Sequence, residues 1–389
     1  MLKVATAFSG GFGSVEFALK YLDIPHEVVF ACEWLKPQRE SYILNHGEPT
    51  SNFYEDIRTL DGTKYKGEID YYHLSPPCQS YSLAGSRGGA SDERGGLMFE
   101  AIKSIDQVQP KMFSVENVKG LLSSNGGEDW KNIIRDFKSL KGYTISWGVM
   151  NAKEQGTPQN RERVFIVGFR GPGPQFSFPS KKELKITLKD LLCDVVNDKY
   201  FLSEKMIKCF NARKEISKGY EFKPQNGERH ANCLSVKYGN YSTDTYIKIN
   251  SNTKSGYETA KLHDGISLSR PTSTTRRGRV GKQVAQTLDT SSSQGVLVEN
   301  EQGYRIRRLT PREVSRIQGD SKDMFKFGKA SDTKLYEFIG NAMDINTTKN
   351  LIARMLDHLK NNVKLNQPID STFKKKETVT QNLFDLETA

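Results

Sequence analysis

The sequence of 389 residues has no apolar run approaching the roughly 18 residues that a membrane-spanning helix requires. It also lacks the regions of a signal peptide, because Met1 leads directly into the strand-like segment Lys3-Val4-Ala5-Thr6-Ala7-Phe8. These absences predict a cytoplasmic protein and argue against the membrane and secreted classes.

Cysteine is scarce and widely spaced. The five cysteines form no C-x-x-C pair and lie at Cys32, Cys78, Cys193, Cys209 and Cys233. An odd number of isolated thiols is not typical of a disulfide framework or of a thiolate zinc cluster. We therefore predict reduced thiols and no bound metal.

Acidic residues are the minority among the charged ones, since 57 Lys and Arg against 46 Asp and Glu give a net charge of +11. The excess is concentrated: residues 1–180 carry −1, residues 181–320 carry +10 and residues 321–389 carry +2. A near-neutral part joined to a basic part indicates that one lobe binds a polyanion. A solvated lysine-rich surface is the alternative that charge alone leaves open.

Short apolar runs alternate with stretches of helical spacing over residues 1–170, which indicates strands and helices in turn. The predicted strands include residues 4–8, 28–32, 69–74, 111–115, 144–149 and 164–169, and the predicted helices are 14–22, 97–108 and 130–140. Strands separated by helices predict an α/β fold with a parallel sheet covered on both faces.

The composition of the sequence changes at Gly171-Pro172-Gly173-Pro174, a cluster of residues that interrupt regular secondary structure. We predict a first α/β part over residues 1–175, and a smaller, loop-rich β-type domain over 176–325. Residues 326–360 are predicted to return to the first domain, and 361–389 form a polar tail.

Two segments near the N-terminus have the pattern of a nucleotide site. Residues 8–13, Phe-Ser-Gly-Gly-Phe-Gly, join a predicted strand to a helix, where glycine lets the backbone approach a ligand. Glu33 follows the second strand, where an acid can bind ribose hydroxyls. A purely structural turn has the same pattern.

Further polar residues are expected near the edge of the sheet. Cys78 follows Ser75-Pro76-Pro77, Glu116 ends the next strand, and Arg161 and Arg163 precede the strand at 164–169. In open α/β sheets ligands bind beyond the carboxyl ends of the strands. An inert cysteine, a helix-capping acid and a surface ion-pair ladder with Glu162 are the structural alternatives.

Taken together, these segments resemble the C5-cytosine DNA methyltransferase family over residues 1–170 and about 305–355. The motifs that carry the resemblance are residues 8–13, Pro76-Pro77-Cys78-Gln79, Glu116-Asn117-Val118, Gln159-x-Arg161-x-Arg163, Arg308-Leu309-Thr310-Pro311-Arg312-Glu313 and Gly340-Asn341. The order and the gaps suit the family. The resemblance implies a Rossmann-like, S-adenosylmethionine-dependent methyltransferase sheet, with a target-recognition domain as the second, β-type unit.

The resemblance also implies the roles of single residues. Cys78 matches the nucleophile, Glu116 the cytosine-binding acid, and Arg161 and Arg163 the active-site arginines. The positions that match contacts to the cofactor S-adenosylmethionine are Phe8, Gly10, Gly13, Glu33, Trp34, Asp56, Ile57, Pro77, Leu97, Asn341 and Ala342. Two departures are noted: an extra residue separates Gly10 from Gly13, and Ala342-Met343 replaces the usual Ser or Ala followed by Val.

The implied reaction is methylation of carbon 5 of a cytosine that is flipped out of double-stranded DNA. The positions expected to contact DNA are Ser86, Arg87 and Arg94 in the loop after Cys78, and Arg270, Arg276, Arg277, Arg279, Thr287 and Leu288 in the central block. Phosphate contacts are expected to outnumber base contacts. We further expect a cytoplasmic, nucleoid-associated monomer of prokaryotic or phage type, with a cognate restriction endonuclease as a possible partner.

Three alternatives remain at this stage. One branch of the family modifies tRNA, but that branch has a short central region and a Cys-Phe-Thr signature that this sequence lacks. A DNA-binding relative without activity is the second alternative. A nicotinamide-dependent oxidoreductase is the third, and it would explain only the glycine-rich loop.

Overall fold

The structure is a computed structural model, and it describes residues 1–77, 96–203, 246–270, 273, 275–291, 293–300 and 303–365. It has a large sheet with helices on both faces and a smaller set of antiparallel strands. This confirms the predicted α/β class with a second, β-type unit.

The large sheet is built from the N-terminal half of the chain. The strands of this half are β1 (Leu2–Ala7), β2 (His26–Cys32), β3 (Asn52–Tyr54), β4 (Tyr71–Leu74), β5 (Met112–Val118), β6 (Tyr143–Asn151), β7 (Gln159–Asn160) and β8 (Glu162–Arg170). All but β7 form the sheet, in the order β3-β2-β1-β4-β5-β8-β6. The reversal of order beside β1 creates a crevice of the kind that binds ligands in doubly wound folds.

The direction of one strand differs from the prediction of a parallel sheet. β8 is antiparallel to both of its neighbours, β5 and β6. The short connection between β6 and β8 explains this, because a parallel return needs a crossover of about a dozen residues or more, usually helical. The expectation of an all-parallel sheet was therefore wrong for β8, which begins at the edge where β1, β4 and β5 end.

Helices cover both faces of the sheet. They are α1 (Ser14–Tyr21), α2 (Lys36–His46), α3 (Gly96–Val108), α4 (Glu128–Lys138), α5 (Pro311–Ile317), α6 (Asp332–Asn341) and α7 (Ile345–Leu365). Successive residues of β1 point to opposite faces, so Val4 joins the core of α1, α5, α6 and α7, whereas Ala5 joins the core of α3 and α4. None of the helices in the described part of the chain is long and apolar enough to cross a membrane.

The smaller unit consists of short strands from the central part of the chain. They are β9 (Tyr246–Asn250), β10 (Tyr257–Lys261), β11 (Gly265–Ser267), β12 (Val280–Gly281), β13 (Ala285–Gln286), β14 (Gln294–Asn300) and β15 (Gly303–Arg308). β12-β11-β14-β15 form an antiparallel sheet over a small core that includes Ile266, Leu297 and Ile306. β13 pairs in parallel with β7, the short strand that precedes β8, in a separate two-stranded sheet.

The predicted domain boundaries can be compared with the cores. Phe176, Leu188 and Leu191 share the core of β1 and α1, and so do Val314 and Ile317 from α5. The boundaries 1–175, 176–325 and 326–360 stay a prediction, but these residues belong to the core of the first unit, which Val296 of β14 also joins.

Candidate active site

The polar segments singled out in the sequence meet at one edge of the large sheet. β1, β2, β4 and β5 end there because they are parallel, and β8 begins there because it is antiparallel. Phe8, Glu33, Glu116 and Arg163 thereby come from distant parts of the chain to the same edge. Cys78 lies outside the described residues, but Pro76 and Pro77, which lead to it, extend from β4 at this edge.

The glycine-rich loop has the backbone geometry that requires glycine. Gly10 and Gly13 have φ angles of 65° and 67°, in the left-handed region, and Gly13 is the N-cap of α1. Phe8 has a φ of 56°, which is strained for a residue with a side chain. A Cβ placed on Gly10 would meet no atom of the described residues within 4 Å, so the part of the chain that the structure describes leaves space at the loop there.

Glu33 binds the same loop. Its Oε2 accepts a hydrogen bond from the Gly10 amide at 3.0 Å, and its Oε1 accepts one from the Leu35 amide at 2.9 Å. Burial raises the pKa of this carboxyl, and the amide donors act against that rise. Beside it, the Trp34 side chain is 62% exposed. Among the described residues, the Arg58 guanidinium lies over the Trp34 ring, at 5.7 Å from its centroid.

The remaining predicted cofactor positions differ in their surroundings. The Asp56 carboxylate pairs with Arg58 at 2.8 Å, Ile57 is buried, and Leu97 packs against the core of α3 and α4. Asn341 is exposed at the end of α6, and Ala342 is half-buried. Their segment is joined to the glycine loop, because the Ser14 hydroxyl donates to the Met343 carbonyl at 2.8 Å.

Glu116 and Arg163 form a close ion pair. Arg163 Nε lies 2.9 Å from Glu116 Oε1, and the two side chains are only 16% and 12% exposed. The pairing of β5 with β8 sets this contact, since Arg163 lies opposite Val118, two residues beyond Glu116. The ion pair thereby holds the Glu116 carboxylate in one orientation at this edge of the sheet.

The segment that leads to Cys78 is held by buried side chains. Asn117 Nδ2 donates to the Pro76 carbonyl at 3.1 Å. His73 lies 2.8 Å from the Ser75 hydroxyl through Nε2 and 2.8 Å from the Ser114 hydroxyl through Nδ1. Burial lowers the pKa of His73 to about 3, so the imidazole is neutral and links the end of β4 to β5.

Arg161 has a different environment from Arg163. It is buried, and its guanidinium donates to the carbonyls of Leu288 at 3.1 Å, Gly340 at 3.3 Å and Ala342 at 2.8 Å. Burial lowers its pKa to about 9, and the neighbouring charge of Arg163 adds to this effect. The side chain joins three distant segments, and in this structure it is not open to a substrate.

Gln159 reinforces the same junction. Its side-chain amide donates to the Ile317 carbonyl at 2.9 Å and to Gln318 Oε1 at 2.8 Å, and its oxygen accepts from the Leu288 amide at 3.2 Å. Gln159 and Asn117 lie in motifs that carry the family resemblance but were given no role in the site. Gln318 and His73 lie outside those motifs, and no sequence pattern marked them.

The residues expected to bind DNA divide into buried and exposed groups. Arg279 is fully buried and donates to the carbonyls of Ser267, Ser269 and Arg270 within the small unit. Leu288 is also buried and belongs to the core that includes Val4 and Phe12. The expected DNA contacts of these two residues stay predictions.

The other members of that set have different surroundings. Arg276 is half-buried and donates to the Ser267 hydroxyl at 3.0 Å, and Thr287 donates to the Asn160 carbonyl at 2.8 Å. Arg277 is exposed. Ser86, Arg87 and Arg94 lie outside the described residues.

An open cleft of about 370 Å³ lies between the small sheet and the loop after Leu288. Arg270 and Arg308 line it together with Asp289 and the serines at 291 and 293. The Asp289 carboxylate accepts from the hydroxyls and amides of those two serines, so it fixes the loop. Among the described residues, no group of three or more His, Cys, Asp or Glu side chains is arranged to hold a metal ion.

The sequence matches a known family over most of its length. The model of the family described as C-5 cytosine-specific DNA methylase matches residues 4–357. The type II methyltransferase M.HpaII of Haemophilus parainfluenzae is 30% identical over 363 residues, which are 90% of this chain and 88% of that protein. The type II methyltransferase M.FnuDI of Fusobacterium nucleatum is 31% identical over 389 residues, which are 99% of this chain and 100% of that protein.

Solved structures share the fold at lower identity. A mutant of the DNMT2 protein of Spodoptera frugiperda has a TM-score of 0.61 and 16% identity, and the match covers 92% of this chain and 100% of that one. The Dnmt2 methyltransferase of S. pombe has a TM-score of 0.58 and 16% identity, with coverage of 92% and 99%.

Proposed function

Since the chain belongs to the C-5 cytosine-specific DNA methylase family, we propose that it transfers a methyl group from S-adenosylmethionine to carbon 5 of a cytosine in a specific duplex DNA sequence. The observation that carries the proposal is the close, largely shielded ion pair of Glu116 and Arg163, at the sheet edge that also holds the glycine loop. The type II names of the relatives support a restriction–modification context with a cognate endonuclease.

The residues at the edge fit the nucleoside part of the cofactor. Gly10 leaves open space over the loop, and Glu33 offers a carboxylate that two backbone amides hold in place. The exposed indole of Trp34 offers a face for adenine, and Asp56 and Asn341 lie at the ends of neighbouring elements. When bound, S-adenosylmethionine supplies an electrophilic methyl group on a sulfonium.

The proposed chemistry uses Cys78 as a nucleophile. Carbon 5 of cytosine is a poor nucleophile, so the Cys78 thiolate adds to carbon 6 and forms a carbon–sulfur bond that makes carbon 5 electron-rich. The Glu116 carboxyl group accepts a hydrogen bond from the exocyclic amine and shares a proton with ring nitrogen 3, where charge develops during this addition. After carbon 5 has gained the methyl group, it loses its proton to a base, and the carbon–sulfur bond breaks to release the thiolate.

The two arginines are proposed to act differently. Arg163 orients the Glu116 carboxylate and places a positive charge beside the flipped base. Arg161 would support the site from inside, because it holds the segments of Leu288 and Gly340 against β7. Since the target base must leave the duplex, we propose that Ser86, Arg87 and Arg94 contact DNA as it flips.

Duplex binding is assigned to the exposed arginines of the central block. Arg270, Arg277 and Arg308 are exposed, and two of them line the cleft beside the loop after Leu288. Their guanidinium groups would contact phosphates more often than bases. The tRNA alternative is not favoured, since M.HpaII and M.FnuDI, which match at least 90% of this chain, are named type II methyltransferases.

A labelled-methyl assay tests the proposal. The full-length chain should incorporate label from S-adenosylmethionine into duplex DNA and not into tRNA, and sequencing of the methylated DNA would give the site. Incorporation only into tRNA would overturn the DNA assignment. DNA that contains 5-fluorocytosine should form a covalent complex with the wild type and none with Cys78→Ala, and a wild type without the complex would support the inactive relative.

A further inference from the structure

Side chains of helix α2 bind the backbone of the glycine loop on the side that faces the protein interior. The Gln38 Oε1 atom accepts a hydrogen bond from the Gly11 amide, and the Ser41 hydroxyl donates to the Gly11 carbonyl at 2.7 Å. The His46 ring reaches the Phe12 carbonyl through Nε2 at 2.9 Å. Three side chains of one helix therefore fix two consecutive residues of the loop.

The protonation of His46 follows from its partners. The Lys20 ammonium lies 3.1 Å from Nδ1, and because an ammonium only donates, Nδ1 must accept. Nε2 then carries the proton and donates it to the Phe12 carbonyl. Burial and the charge of Lys20 lower the pKa of His46 to about 3, so this neutral tautomer persists at physiological pH.

The glycines of the loop are of two kinds. A Cβ on Gly11 would lie 2.6 Å from Gln38 Oε1, and one on Gly13 would collide with the His46 ring. A Cβ on Gly10 would meet nothing within 4 Å. Gly11 and Gly13 are thus required by the close approach of α2, whereas Gly10 faces the open space where a ligand fits.

Phe12 anchors the loop at the position that departs from the family pattern. Its ring is fully buried, with ring centroids 5.2 Å from Phe17 on α1 and 4.8 Å from Phe325. A bulky residue therefore fits between the glycines of the loop, because the Phe12 side chain packs in the core. Only the Phe12 backbone is left on the side of Gly10.

We infer that Gln38, Ser41 and His46 are positioning residues that preset the glycine loop for the cofactor. By fixing Gly11 and Phe12, they hold the adjoining Gly10 amide where it binds the Glu33 carboxylate. Ordering the loop before binding reduces the entropy that binding must overcome. This inference rests on the proposed use of S-adenosylmethionine.

The test compares cofactor binding with turnover in the full-length chain. Gln38→Ala and His46→Ala should each raise the Kd for S-adenosylmethionine, measured by calorimetry, about tenfold or more, as expected for one lost hydrogen bond in a buried loop. The KM for S-adenosylmethionine should rise in parallel. Turnover at saturating cofactor and the KM for DNA should stay within about twofold of the wild type, because the altered step is loop ordering.

Two matched variants sharpen the test. His46→Gln should restore most of the affinity, because its amide nitrogen occupies the place of Nε2 and can donate to the Phe12 carbonyl. Glu40→Ala is the control on the same helix, since Glu40 is exposed and pairs only with Lys36 among the contacts described. If His46→Ala fails to fold, Ser41→Ala removes one hydroxyl and should weaken binding by a smaller factor.

The outcomes separate this inference from the proposed function. If the wild type binds the cofactor and the variants bind it equally well while melting at lower temperature, the contacts only stabilise the fold and the inference is overturned. A wild type that does not bind S-adenosylmethionine would instead overturn the proposed function.

Discussion

Replacing Arg161 with methionine should destabilise the protein through the junction that this guanidinium makes. The change leaves the buried carbonyls of Leu288 and Gly340 without this donor, whereas the Ala342 carbonyl keeps the Gln318 amide, and each unsatisfied group costs about 1–3 kcal/mol. Part of this is offset because a charged guanidinium is no longer buried, a cost that appears as the pKa lowered to about 9. We therefore expect a loss of about 3 kcal/mol in the free energy of unfolding.

The assay is equilibrium unfolding in urea, with Arg277→Met as the control because that arginine is exposed. The control should change the free energy of unfolding by less than about 0.5 kcal/mol. Methyl transfer would be measured at a temperature at which every variant is folded. An Arg161→Met protein with wild-type stability and lost turnover would refute the reasoning, because the guanidinium would then act on the substrate.

Three further predictions concern the base, the DNA and a buried acid. Glu116→Gln should lower turnover by about 100-fold or more while DNA binding, measured by gel shift, is retained; near-normal turnover would contradict the role of Glu116. Arg277→Ala should flatten the salt dependence of DNA binding by up to about one unit of slope, whereas an unchanged slope would mean that Arg277 points away from DNA. Burial raises the pKa of Asp344 from 3.8 to about 6, so the folded state favours the protonated acid. The wild type should therefore lose up to about 3 kcal/mol of stability relative to Asp344→Asn between pH 4 and pH 6, and parallel curves in urea unfolding would contradict this.

The local elements of the large sheet could be predicted from the sequence, because apolar residues that recur with a period of 2 in strands and 3.6 in helices mark the buried face of each element. The direction of β8 could not, since the pattern of a buried strand is the same in both directions. The short connection from β6 to β8 determines the direction of β8. The positions of Glu33 just after β2 and of Glu116 near the end of β5 were predictable for the same local reason, and their proposed roles came from the family resemblance.

The contacts of individual side chains at the edge could not be predicted in this way. Arg161 and Arg163 are two residues apart, but their side chains have different surroundings because Arg161 lies between β7 and β8 and not within a strand. Its partners come from positions more than a hundred residues away, and no local pattern encodes them. His46 and Gln38 were missed because polar residues of a helix are usually solvated.

The net positive charge of the central block is larger than the positive charge that it exposes to DNA. Arg307 is buried in a bidentate ion pair with Glu313, with both nitrogen–oxygen distances at 2.7 Å, and Arg279 binds only carbonyls among its described partners. Arg270, Arg277 and Arg308 are exposed instead. A combined substitution that includes Arg279 would therefore weaken DNA binding by unfolding the small sheet as well as by removing phosphate contacts. Only substitutions confined to the exposed arginines can attribute a change in salt dependence to the interface with DNA.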